Sequence, residues 1–221
     1  MKLAAPLVSG RIALVNRTGL SALLFGAAIA FCGFAPLAGQ QPSDRRGAEL
    51  SLGVGPGSLG ISCAECAHVA RQSGVSLHLW IAAPLSHDLL VGADILSWSG
   101  RAADTVTTAS SLMVGASFYP AARSSWFLNG GIGVSIYDRS VTNPSLGIGF
   151  TFGTGADIRM ARNVWLTPAA HLLWGAPGDV KNNEQLVLAR GLTQNLIALD
   201  LNVSIRFPTT PDQPRATELS R

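Results

Sequence analysis

Charge is scarce in this chain. Of its 221 residues only 13% are Asp, Glu, Lys or Arg, while 48% are hydrophobic; a soluble domain usually carries about 25% charge. The basic residues do not cluster. The net charge of +3 comes largely from the ends, from Lys2, Arg11, Arg17, Arg45, Arg46, Arg215 and Arg221, which leaves no footprint for a nucleic acid. Long apolar runs are missing as well. Beyond the first forty residues no segment reaches the roughly 18 apolar residues a membrane helix needs. Cysteine is limited to Cys32, Cys63 and Cys66.

What is present fits those absences. An apolar, charge-poor, glycine-rich chain without a spanning helix has the composition of a membrane β-barrel, whose strands interleave lipid-facing residues with lumen-facing ones. The clearest strand is Asn195–Phe207, NLIALDLNVSIRF. Ile197, Leu199, Leu201, Val203, Ile205 and Phe207 fall on one parity, and Ala198, Asp200, Asn202, Ser204 and Arg206 on the other. Side chains of a strand point alternately to its two faces, so this segment has one greasy and one polar side. Its length suits a tilted crossing of a bilayer.

Seven further segments carry the same period: Ala48–Ser58, Val75–Ala83, Leu89–Ser99, Thr107–Tyr119, Trp126–Tyr137, Leu146–Arg159 and Val164–Trp174. Eight is an even count, as antiparallel closure requires. Pro84–Asp88, Pro120–Ser125 and Ala161–Asn163 read as tight turns, whereas Ser62–Ser73, Gly100–Thr105, Asp138–Ser145 and Gly175–Thr193 are mostly longer and more polar. Outer-membrane barrels keep short turns on the periplasmic side and longer loops outside. Trp98, Tyr119, Trp126, Tyr137, Trp165, Trp174 and Phe207 lie near predicted strand ends, where interfacial girdles are expected.

The N-terminus reads as a secretory signal over residues 1–39. Lys2, Arg11 and Arg17 precede the apolar core Leu20–Phe34, and Leu37-Ala38-Gly39 offers a small-residue exit. An uncleaved anchor is the competing reading, set against the shortness of the apolar core. Residues 40–47 form a polar leader, 48–207 the barrel domain, and 208–221 a polar, Pro/Thr-rich tail expected to be disordered.

The strands and their connections resemble the small eight-stranded outer-membrane barrels of the OmpA-transmembrane-like and OmpX-like group, over about Ala48–Phe207. The resemblance implies an all-β, eight-stranded antiparallel up-and-down transmembrane barrel in a bacterial outer membrane. It implies Phe207 as an assembly signal read by the barrel assembly machinery, although Pro208–Arg221 follows it. It further implies a bare barrel that contacts outer-membrane lipid.

Candidate chemistry is sparse. Cys63-Ala64-Glu65-Cys66 sits in the first long loop. In an oxidising compartment the two cysteines most simply form a disulfide. A zinc site would need two further ligands, with only Glu65 and His68 close by, and a thioredoxin-like role would need a βαβ context that is missing. No metal or cofactor is expected. The lumen parity collects Glu49, His78, Asp94, Asp157, Arg159, His171, Asp200 and Arg206. One reading is a neutralised network filling an interior only wide enough for side chains; the other is a narrow, weakly cation-selective path, since four carboxylates face two arginines. A lipid-modifying enzyme would need a nucleophile, a base and an orienting carboxylate within mutual reach. His171 and Ser204 are the nearest candidates, without the His-x-Ser spacing of barrel deacylases. The expectation is therefore no enzyme, but a barrel with a structural or surface-interaction role and possible extracellular or envelope partners at its loops. A soluble ligand-binding barrel of lipocalin type is the competing class.

Overall fold

The computed structural model describes residues 47–64, 66, 70–102, 105–121, 124–140, 142–181 and 186–207. The signal segment, most of the leader, the tail, Glu65 and His68 lie outside the described residues. Nine strands follow in order: β1 (Ala48–Ser62), β2 (Gln72–Pro84), β3 (Leu89–Ala102), β4 (Thr105–Phe118), β5 (Trp126–Arg139), β6 (Ser145–Ala156), β7 (Ile158–Ala161), β8 (Val164–Lys181) and β9 (Val187–Phe207). Each pairs antiparallel with the next along the wall, β6 and β7 both pair with β8, and β9 pairs back to β1. With β7 continuing β6, this is an eight-staved closed barrel, and Glu49 opposite Arg206 marks the closing seam. Closure removes the free edges that an open sheet would expose.

Alternation decides which face each residue takes. On β9 every second residue from Leu196 to Arg206 is buried and the residues between are exposed. The exposed set forms a continuous aliphatic belt around the barrel, including Leu52, Leu77, Val114, Ile148 and Leu201. The interior is packed. Leu59, Leu96, Trp98, Met113, Leu173 and Leu196 form one apolar cluster, and Trp80, Ala82, Leu90, Tyr119 and Phe127 a second, nearer the end where β1 begins and β9 finishes.

Three expectations need correction. First, two of the four long connections, Gly100–Thr105 and Gly175–Thr193, are mostly ladder among the described residues. β8 and β9 run through most of Gly175–Thr193, and β1, β3 and β5 also extend past their expected ends. The aliphatic period stops where the belt stops, but backbone pairing does not depend on it, so the ladder projects beyond the belt. In the β8–β9 projection the register shifts between Gly175 and Lys181. Gly178 and Gly191 hold positive φ there (86° and 59°), which glycine adopts without a steric cost.

Second, Leu146–Arg159 is not one strand. Asp157 interrupts it, giving its N–H to the Ser125 carbonyl (2.9 Å) instead of the ladder. Third, four of the expected girdle aromatics point inward. Trp98, Tyr119, Tyr137 and Trp165 are buried, whereas Trp126, Trp174 and Phe207 are exposed. Nearness to a strand end does not orient a side chain; parity does.

Candidate functional site

The interior is organised in layers. At the end where the barrel's first and last strands meet, β9 carries Arg206 inward. Its Nε donates to Glu49 Oε2 at 2.6 Å, and its Nη2 donates to Asp157 Oδ2. Tyr119 donates its hydroxyl to the same Asp157 oxygen (3.1 Å), and Thr167 donates to the other (2.9 Å). The guanidinium lies 4.4 Å from the Trp165 ring centre, a cation–π contact. All of these side chains are buried. One cation thus holds two carboxylates, and two hydroxyls add to the satisfaction of Asp157, which a buried charge needs. Ser204 continues the layer by donating to Ser51 at 2.8 Å.

The next layer holds two imidazoles stacked at a centroid distance of 4.2 Å, His78 from β2 and His171 from β8. His78 Nδ1 faces Asn202 Oδ1 at 2.8 Å, and Nε2 lies 3.3 Å from Asp94 Oδ1. His171 Nε2 stands 3.8 Å from Asp200 Oδ2. Neither His–Asp approach has hydrogen-bond geometry. Asp200 accepts the Ser76 hydroxyl through its other oxygen. Between the two layers, a cavity of about 20 Å³ is lined by Glu49, Ser51, His78, Tyr119 and His171 among others, space on the scale of one water molecule.

Above the imidazoles comes the first apolar cluster, centred on Trp98. Its indole rests on glycines. A Cβ on Gly57, Gly74 or Gly100 would stand 2.6, 2.6 or 2.4 Å from a Trp98 atom. The glycines of β6 play the same part. A Cβ on Gly149 would meet Met113 at 2.8 Å, and one on Gly155 would meet Phe127 at 2.7 Å. The glycine-lined wall is therefore room taken by bulky neighbours rather than open water space.

The structure brings together Glu49, Asp157 and Arg206 in one layer and His78, Asp94, His171 and Asp200 in the other. It does not bring in Arg159, which was expected in the lumen. The break at Asp157 turns it outward, where it is exposed and donates to the carbonyls of Ala161 and Arg162. Ser204 bonds to Ser51, and Ser76 to Asp200, so neither hydroxyl is held by an imidazole as a nucleophile would be. Tyr119, Trp165 and Thr167 were missed as partners of the charge layer; inward parity was the signal for Trp165 and Thr167.

Cys63 and Cys66 form a disulfide at the end of β1, with Cα atoms 5.1 Å apart. Among the described residues no group of three or more His, Cys, Asp or Glu could hold a metal ion.

Fold and interior together define a small, closed, antiparallel barrel with a packed core and an apolar outer wall. No family model matches the chain, and no curated protein matches it. Among solved structures it is similar to Neisserial surface protein A, with 17% identity and a TM-score of 0.49, covering 73% of this chain and 100% of that one. It is similar to Ail, the attachment invasion locus protein of Yersinia pestis, at 12% identity and TM-score 0.46, covering 72% and 99%. It is also similar to the outer membrane protein OprG from Pseudomonas aeruginosa, at 10% identity and TM-score 0.39, covering 77% and 100%. These are small outer-membrane β-barrels.

Proposed function

We propose that this protein is a bacterial outer-membrane barrel with a closed interior, acting as a surface-presented anchor rather than as a pore or an enzyme. The observation that carries the reading is the polarity of the wall. Leu52 and Val114 are 61% and 69% exposed, within a belt of comparable aliphatics on every side. A soluble monomer rarely leaves an apolar patch larger than a few hundred Å², and a soluble ligand-binding barrel would have the opposite polarity. Lipid is the solvent that suits this belt.

The interior favours the structural role over the cation path. Arg206 is neutralised in place, and an apolar layer around Trp98 lies in series with it. The projecting ladders then form the surface available for contact. The β8–β9 hairpin carries exposed Leu186, Val187 and Leu188 at its end, beyond the belt, which makes it the place for an envelope or extracellular partner.

Cell fractionation together with heat-modifiable gel migration tests the reading. Recovery in the outer-membrane fraction, with a faster-migrating unheated form, is the expected result. Recovery as a soluble periplasmic protein would overturn it.

A further inference from the structure

One row of outward-facing residues crosses the wall at the upper border of the belt. Asn195 on β9 pairs with Gly60 on one side and with Trp174 on the other, and Trp174 pairs with Phe150. Arg71, just before β2, reaches over this row. Its Nε donates to Ser58 Oγ at 3.0 Å, Nη1 donates to Asn195 Oδ1, and Nη2 donates to the carbonyls of Ser58 and Asn195, which leaves one Nη1 N–H for a ligand. Gly60 makes the passage possible, since a Cβ there would stand 2.7 Å from both the guanidinium and Asn195 Oδ1. The guanidinium itself is exposed, and no carboxylate among the described residues pairs with it.

Directly below, the wall is dented. A groove of about 360 Å³ is lined by Phe150, Phe152, Leu172, Trp174 and Ile197, with Asn195 at its border. The Phe150 and Trp174 rings lie side by side in its wall, with centroids 6.0 Å apart. Asn195 therefore belongs both to the groove and to the guanidinium's hydrogen bonds. A fixed cation stands at the head of an apolar slot, at the level where a bilayer changes from acyl chains to headgroups.

We infer that this is a lipid-binding site for a phosphate-bearing lipid of the outer leaflet, lipid A, with one acyl chain in the groove and a phosphate on Arg71. The site rests on the outer-membrane reading above, because only the orientation with the strand projections outside places it in that leaflet. Arg71 is held in place by Ser58 and Asn195, so little side-chain freedom remains to be lost on binding. Trp174 has the interfacial position that aromatic residues favour. The apolar slot supplies contact area, and the guanidinium supplies the preference for an anionic headgroup.

The full-length protein, reconstituted into phosphatidylcholine vesicles containing bisphosphorylated lipid A, is checked for insertion by heat-modifiable migration. It is then released into mild detergent for native mass spectrometry. Wild-type protein should retain lipid A in preference to phosphatidylcholine. Arg71→Gln should lower that retention about tenfold, the scale of one charge-assisted hydrogen bond, and Trp174→Ala should lower it as well. Arg139→Gln, which removes an exposed cation elsewhere at the same end, should retain lipid A as wild type does. Equal retention by wild type and Arg71→Gln in an inserted barrel, or equal retention of both lipids, overturns the site alone. Failure of the wild type to insert overturns the membrane reading, and the site with it.

Discussion

Arg206 is a single guanidinium between two buried carboxylates, and its removal leaves both Glu49 and Asp157 without their cation. Breaking a buried pair from one side costs about 3–5 kcal/mol, because the residual charge stays desolvated. Arg206→Met is therefore expected to lower the unfolding free energy of the lipid-refolded barrel, read by urea titration, by that amount. The triple variant that adds Glu49→Gln and Asp157→Asn should recover most of the loss, since it leaves no unpaired charge. Equal midpoints for the single and triple variants would show that the effect is packing against Trp165, not charge. Trp98 is the apolar counterpart. It is fully buried on three glycines, so Trp98→Ala opens a cavity that three flat backbone positions cannot refill. A loss of about 3–5 kcal/mol is expected from the same urea titration.

β9 shows how an element can be legible in one half and hidden in the other. From Ile197 to Phe207 its period of two runs without a break, and the parity orients Asp200, Asn202 and Arg206 correctly. From Val187 to Gln194 the period is lost, because outside the belt neither face is required to be apolar, and nothing in the sequence there marks a ladder. Arg159 failed for a related reason. The break at Asp157 carries no hydrophobic signature, yet past it the inward–outward alternation is lost, and Arg159, Met160 and Ala161 are all exposed. The inward turn of Trp98, by contrast, was readable, because it shares its parity with Asp94 and Leu96. The belt boundary on β9 makes a direct prediction. Leu188 and Leu201 are similarly exposed, 54% and 51%, but only Leu201 lies within the aliphatic band. Leu201→Arg should cost about 2–4 kcal/mol of refolding stability in vesicles, the penalty for a cation near the bilayer midplane. Leu188→Arg should leave the same titration unchanged. A matching loss for Leu188→Arg would mean that the band extends into the β8–β9 projection.

At the scale of the whole molecule, two barriers of different kind stand in series along the barrel axis. One is electrostatic, the Glu49–Arg206–Asp157 layer capped by Tyr119, where the one interior guanidinium among the described residues is fixed between two carboxylates. The other is mainly apolar, the Trp98 cluster, in which Leu59, Leu96, Met113, Leu173 and Leu196 pack with the indole. The imidazole layer between them, with its carboxylates, would attract cations if either entrance were open. Planar-bilayer recordings of the refolded protein should therefore stay silent at either polarity. Arg206→Met should stay silent too, because the apolar layer remains, and Trp98→Ala should stay silent because the charge layer remains. The comparison separates the two barriers: current in Arg206→Met alone would make the charge layer the sole seal, and current in Trp98→Ala alone would assign that role to the indole. Steady unitary conductance in the wild type would mean that water threads both layers. The four interior carboxylates would then be the lining of a cation path rather than the bonded partners of a packed core.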